Sequence, residues 1–182
     1  LGYQTGYNTT GSYNSFIGYQ SGYANISGHH NTYNGHQAGL SSTDASYNTA
    51  IGYQAGAFNV TGQNNVFIGM QSGRGVYPAN ASGSYNVLIG NRIGYNMTTA
   101  SNNVILGYYA GYSLTTGTDN IYLGRESGYN NTTGNYNVFL GYRSGYNGIS
   151  SYNTFLGYQT GYNTTGSYNS FIGYQSGYNN TT

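Results

Sequence analysis

The chain has 182 residues, among them 25 Tyr and 31 Gly, with no Cys and no Trp. Only 4% of it is charged, through Arg74, Arg92, Arg125, Arg143, Asp44, Asp119 and Glu126, and the formal net charge is +1. This composition excludes a disulfide or thiolate framework and gives no electrostatic basis for a nucleic-acid or acidic-membrane partner.

The phrase LGYQTGYNTTGSYNSFIGYQSGY, Leu1 to Tyr23, opens the chain in the middle of a repeat. No signal peptide is visible, and the expectation is that the natural N-terminus lies upstream. The longest aliphatic run, Val104-Ile105-Leu106, falls far short of the roughly 20 residues of a membrane span. Aligned on the Gly that follows an apolar triplet, the units register at Gly2, Gly18, Gly35, Gly52, Gly69, Gly90, Gly107, Gly124, Gly141, Gly157 and Gly173. The spacing is 16 or 17 residues, except for one of 21 between Gly69 and Gly90. A unit this short cannot bury an apolar face alone and must stack on its neighbours. Such register also argues against the disordered polymer that the Gly, Tyr, Asn, Ser and Thr content alone would permit.

Every unit carries the same elements in the same order. Asn stands four residues before the register Gly, at Asn14, Asn31, Asn48, Asn65, Asn86, Asn103, Asn120, Asn137, Asn153 and Asn169. Asn in register suits a ladder of amide hydrogen bonds from coil to coil. The next three residues, such as Val138-Phe139-Leu140, are strand formers bounded by Asn and Gly and predict a short strand. Alternation puts Val138 and Leu140 on one face and Phe139 on the other, so one face lines the coil interior and the other packs outside it. A second short strand is expected through Tyr-Gln and the small residue that follows (Ser21, Ala55, Ala110, Ser127), with Ile93 as the exception. Four residues after the register Gly comes a second Gly, from Gly6 to Gly177, suited to a corner with positive φ.

The predicted fold class is all-β: a β-solenoid or parallel β-roll of about eleven 16–17-residue coils, one tandem array over residues 1–182. Two Gly per unit leave no helical periodicity, and a propeller blade needs about 40 residues. The opening phrase returns unchanged from Leu156 to Tyr178, in phase with the units, so the array is expected to be a segment of a longer repetitive chain.

Departures from the period appear in chain order. His29, His30 and His36, the only imidazoles, share one irregular stretch whose nearest carboxylate in sequence is Asp44. A metal site needs further ligands at fixed geometry, so a solvated loop is the expected reading, with no metal and no cofactor. Gly73-Arg74-Gly75 opens the 21-residue unit without a phosphate-loop context, and with Pro78 its extra residues predict a protruding loop. Arg125 and Glu126 are adjacent, but three carboxylates in the whole chain do not supply an acid–base dyad, and no catalytic residue is expected.

The motif Asn-x-Ser/Thr occurs at Asn8, Asn25, Asn59, Asn80, Asn96, Asn130, Asn131, Asn163, Asn179 and Asn180, always after the second Gly. These sites read as N-glycosylation on one exposed ridge, which would keep so uncharged a surface soluble. They read equally as the Asn and Thr that turns prefer. Tyr follows the first Gly in seven units, from Tyr3 to Tyr174, and the second Gly in eight, from Tyr7 to Tyr178. Stacked coils would align these as aromatic ladders, either for lateral packing or as a flat array that binds glycans or ice.

The phrase N-T-A-I-G-Y-Q-A-G, Asn48 to Gly56, resembles the head repeat of trimeric autotransporter adhesins, the YadA-like head; similar arrays occur in phage tail fibres. The resemblance covers the whole array through this one short phrase. It implies a left-handed parallel β-roll wound from three chains, without catalytic residues, whose outer face binds host surfaces and matrix proteins. The unit here is slightly longer, has Asn where that family usually has Ser, and is richer in Tyr. The expected function is a non-enzymatic structural segment of an extracellular fibre or adhesin shaft, on or outside the cell surface. Its expected partners are copies of itself in a fibre or homotrimer, covalent glycans and a surface or carbohydrate ligand. An ice- or glycan-binding solenoid and a phage tail-fibre segment are the alternatives.

Overall fold

Each Asn-bounded triplet forms a strand. In the computed structural model, which describes residues 1–78 and 81–181, these are β1 (Ser15–Ile17), β2 (Thr32–Asn34), β3 (Thr49–Ile51), β4 (Val66–Ile68), β5 (Val87–Asn91), β6 (Val104–Tyr108), β7 (Ile121–Leu123), β8 (Val138–Leu140), β9 (Thr154–Leu156) and β10 (Ser170–Ile172). They lie in chain order in one parallel ten-stranded sheet. The register is the sequence period: Phe139 pairs with Phe155, and Val66 pairs with Val87 even across the 21-residue unit. The fold is therefore an all-β solenoid of about nine full turns between ten strands; the first of the eleven sequence units contributes turns without a strand. No helix long and apolar enough to cross a membrane occurs among the described residues.

The middle residue of each triplet points inward, and its neighbours point out. Phe139 is fully buried while Leu140 is 41% exposed. Inside, successive centres stack along the axis: Tyr122 on Phe139 at 5.0 Å, Phe139 on Phe155 at 4.9 Å and Phe155 on Phe171 at 5.3 Å. In two coils a smaller strand centre is matched by larger side chains after it, whereas Ala50 is followed by the small buried residues Ala55 and Asn59. Where the centre is aliphatic, at Leu88 and Ile105, the rest of the interior is filled by Ile93 and Met97 and by Leu114. In units centred on rings, buried Ser127 and Asn131 follow Tyr122, and buried Thr160 and Thr164 follow Phe155. Ile93, the sequence exception, is thus the large partner of a smaller strand centre.

The expected second strand is not formed. Gln54 (φ 51°) and Gly56 (φ 57°) both adopt the left-handed conformation, so the segment after the register Gly bends twice instead of extending. A coil of 16 or 17 residues has to turn fully round and return to the same strand, and these corners do it. Two different contacts require the two glycines. A Cβ on Gly52 would stand 2.6 Å from the Gly69 carbonyl oxygen of the next coil, and one on Gly56 would stand 2.7 Å from the Phe67 ring.

In the 21-residue unit, Arg74 stacks on Phe58 (4.7 Å) and Tyr95 (5.0 Å) before the chain leaves the coil. The chain rejoins at Ala81, whose carbonyl accepts the Val60 N–H at 2.8 Å. Among the described residues between them, Tyr77 is 73% exposed; the expected loop also takes in residues 79 and 80, which lie outside the described residues.

Candidate functional site

The chemistry-bearing side chains of this solenoid are arranged as columns parallel to its axis, so a position within the unit decides what a residue touches. The ladder Asn residues form the innermost column. Asn103 Nδ2 donates to Asn86 Oδ1 at 3.0 Å and to the Gly117 carbonyl at 3.0 Å, while its Oδ1 accepts the Asn120 backbone N–H at 3.0 Å. The same pattern links Asn48, Asn65, Asn86, Asn120 and Asn137, all buried. Asn31 and Asn153 are buried rungs of the column; Asn14 and Asn169 stand at its half-buried ends. Each amide uses both donor and acceptor, so the column satisfies polar groups that burial would otherwise penalise.

Two outer columns carry the Tyr residues that the period aligns. Tyr146 stacks on Tyr162 and Tyr162 on Tyr178, each at 4.9 Å with planes within 5°. Tyr142, Tyr158 and Tyr174 stack similarly at 5.2 Å. Because each ring covers its neighbour's face, these columns present ring edges and hydroxyls to solvent. Between them runs a column of Gln amides, with Gln37 to Gln20 at 3.0 Å and Gln54 to Gln37 at 2.8 Å.

A third aromatic column, at the residue before each ladder Asn, escaped the sequence reading. It includes Tyr136, Tyr152 and Tyr168, stacked at 5.0 and 4.9 Å. Its residues have φ near 60°, a conformation costly for a bulky side chain and tolerated best by Asn and Asp. The signal was present: Asn64, Asn102 and Asp119 occupy the same position.

The imidazoles are distributed over these columns. His30 is a rung of the third column between Tyr13 (4.8 Å) and Tyr47 (5.0 Å), and His36 a rung of the column of Tyr142 and Tyr158 between Tyr19 (4.9 Å) and Tyr53 (5.3 Å). His29 lies against Ser46. No group of three or more His, Cys, Asp or Glu side chains comes together among the described residues. All three histidines are exposed on turn or irregular segments, as expected; His30 and His36 are in addition stacked rungs, while His29 meets His30 and Tyr47 edge-on.

The Asn-x-Ser/Thr sites divide into two sets by a shift of one residue. Two positions after the second Gly the side chain points outward: Asn130 Nδ2 donates to Asn147 Oδ1, Asn147 to Asn163 and Asn163 to Asn179, each at 2.7 Å. Asn8 and Asn96 hold the same position. Three positions after it the side chain points inward: Asn25, Asn59 and Asn131 are buried. Asn25 and Asn59 donate to the Gly28 and Gly62 carbonyls, each at 3.0 Å. Asn180 is half-buried and donates to Asn169, and Asn80 lies outside the described residues. The sites thus do not form one exposed ridge, because consecutive positions at this corner face opposite ways.

One corner breaks the outer columns. Glu126, Arg143 and Arg92 take Gln positions, and Arg125 takes a Tyr position. Glu126 is 8% exposed; its carboxylate accepts Arg143 Nε at 2.6 Å and Arg125 Nε at 3.1 Å. Burial pushes this carboxyl up, but the hydrogen bonds and charges of the two guanidinium groups outweigh it and hold it below the ordinary value. Arg92 bridges the Gln column and Tyr109, with Nε on Gln71 at 3.0 Å and Nη1 on the Tyr109 hydroxyl at 2.5 Å. The sequence showed Arg125 beside Glu126; the stronger partner, Arg143, stands one 17-residue period away. No family model, curated protein or solved structure matches the chain.

Proposed function

We propose that the chain is a structural rod segment of an extracellular fibre or adhesin shaft, on or outside the cell surface and without enzymatic activity. The observation that carries this reading is the continuity of the ladders. From Asn14 to Asn169 every Asn backbone N–H after the first is bonded to the preceding rung's amide oxygen. Stability in such an array is a sum of nearest-neighbour interfaces, so length grows with the number of repeats at constant cross-section. That is the requirement of a shaft. The resemblance to YadA-like heads and to tail-fibre arrays points the same way, and a phage fibre would use the same rod.

Copies of the chain associate side by side through the outer strand face. Ile51, Ile89, Val104, Ile121 and Leu140 expose an uncharged, largely apolar strip from β3 to β8 that turns polar at β2, where Thr32 and Asn34 face out. A second copy has the same axial spacing, about 4.8 Å per coil, and can therefore match it rung for rung. Glycans, where the host attaches them, sit on the outward set at Asn8, Asn96, Asn130, Asn163 and Asn179.

Electron microscopy and sedimentation of the purified chain test the rod and its association. Thin particles of uniform width, with Leu140→Lys and Ile89→Lys together lowering the assembly state, are expected. Compact particles, or an assembly state unchanged by both charges, would refute the reading. Intact mass of the native protein tests the glycans, and a mass equal to the bare polypeptide would remove them.

A further inference from the structure

In an array this regular, the information lies where the period is broken. Four of the seven charged residues, Arg92, Arg125, Glu126 and Arg143, gather on one corner. Three Arg against one Glu leave two positive charges there, in a chain whose other carboxylates, Asp44 and Asp119, belong to other positions of the unit.

Both Arg125 and Arg143 use only Nε to hold Glu126. Their terminal Nη groups have no hydrogen-bond acceptor among the described residues, and the Arg125 side chain is 60% exposed. Neither guanidinium is free to wander. Arg125 lies between Tyr108 (5.7 Å) and Tyr142 (5.8 Å), and Arg143 lies over Tyr142 (5.1 Å) and Tyr146 (5.3 Å). Two forks of unpaired donors are thus fixed by a buried carboxylate behind them and rings beside them. They border a cleft of about 290 Å³ whose remaining wall is Tyr108, Tyr109, Tyr129, Tyr146 and the Glu126 carboxylate that the two guanidinium groups hold.

We propose that this corner binds the carboxylate or sulfate group of an acidic saccharide. A guanidinium fork matches a planar oxyanion bidentately, and pre-positioned forks lose little freedom on binding. The cleft is at the small end of the range of ligand sites, about 300–1,000 Å³, and accommodates one sugar unit rather than an enclosed oligomer. Its wall offers Tyr hydroxyls and ring edges and no aliphatic side chain, so it suits a hydroxyl-rich body and gives an apolar peptide side chain nothing to enter. Elsewhere on the Tyr columns the same hydroxyls occur without the forks, so the site is single and local. This inference goes beyond the rod reading, which is tested separately and survives its failure.

The test uses a variant that returns the corner to the residues of the neighbouring units: Arg125→Tyr, Glu126→Gln and Arg143→Gln, as in Tyr158-Gln159. It should fold like the parent, which a thermal melt verifies, and each single Arg→Gln variant provides a second reading. Calorimetry is run with a trigalacturonate, a sulfated disaccharide, a neutral galactose trisaccharide and inorganic sulfate. Binding of at least one acidic saccharide is expected, with at least a tenfold loss in the reverted variant and at least tenfold weaker binding of the neutral sugar. No binding of either acidic saccharide, equal binding by the reverted variant, or equal binding of the neutral sugar would overturn the proposal. Inorganic sulfate binding as tightly as the saccharides would overturn the saccharide assignment and leave a simple oxyanion site.

Discussion

Replacing Asn103 with Ala removes the middle of the amide column. Among the described residues, Asn103 Oδ1 is the only acceptor of the Asn120 backbone N–H, and Asn103 Nδ2 the only donor to the buried Gly117 carbonyl. Both groups would be left buried without a partner, each at a cost of about 1–3 kcal/mol, so the loss is roughly 2–6 kcal/mol. Against a typical domain stability of about 5–15 kcal/mol this is a large share. Because coils couple only to their neighbours, the damage should be local. Denaturant unfolding measures the total, and amide hydrogen exchange locates it: protection should fall in the coils from Gly90 to Gly124 and persist near β2 and β3. Asn169→Ala is the internal control, since among the described residues Asn169 Oδ1 accepts the Asn180 side-chain amide rather than a backbone N–H. A loss below 1 kcal/mol for Asn103→Ala, or protection falling uniformly along the array, would refute the ladder argument.

Further predictions follow from the core and the corners. Among the described residues the buried Tyr122 hydroxyl has no well-formed hydrogen bond, only a weak approach to Asn137, so Tyr122→Phe, the residue the next coil uses, should stabilise the protein by about 1 kcal/mol; a lower melting temperature would contradict this. Burial pushes the Tyr33 hydroxyl up from 10.0 to about 12, against the opposing effects of Ser42 and Asn48. The unfolded chain therefore loses that proton first: its stabilising effect is full below pH 10 and declines by about 1.4 kcal/mol per pH unit between pH 10 and 12. Tyr33→Phe should flatten the alkaline limb of an unfolding series, and an unchanged slope would count against the assignment. Gly69→Ala puts a Cβ against the Gly90 carbonyl oxygen at a φ of 122°, and should cost several times the roughly 1 kcal/mol of an average point mutation; a loss below 1 kcal/mol would show that neighbouring coils are not this close.

The sequence pattern revealed the strands, the Asn column and two Tyr columns because each depends on period and residue type alone. Val138-Phe139-Leu140 shows which residues alternate, but only packing shows that Phe139 is inside and Leu140 is the outer, apolar strip. The second strand failed because Tyr-Gln-Ala has no local feature that marks Gln54 as left-handed; the closing geometry of the coil imposes it. Asn130 and Asn131 are indistinguishable as sequence motifs, yet one faces solvent and the other the core, because a tight corner reverses direction at every residue. The charged corner was half visible: Arg125 beside Glu126 is adjacent in sequence, whereas Arg143 reaches Glu126 only once the coils are stacked in register.

The central claim is that the units stack one coil per unit along a single axis. Small-angle X-ray scattering tests it on two proteins: the chain itself, and the chain lengthened by inserting a second copy of residues 1–155 before Leu156, which the repeated phrase at Leu1 and Leu156 keeps in phase. Nine added coils should lengthen the particle by about 43 Å, at roughly 4.8 Å each, with an unchanged cross-section. A cross-section that widens, or a radius of gyration for the original chain near the roughly 45 Å of an unfolded polymer of this length, would contradict the account.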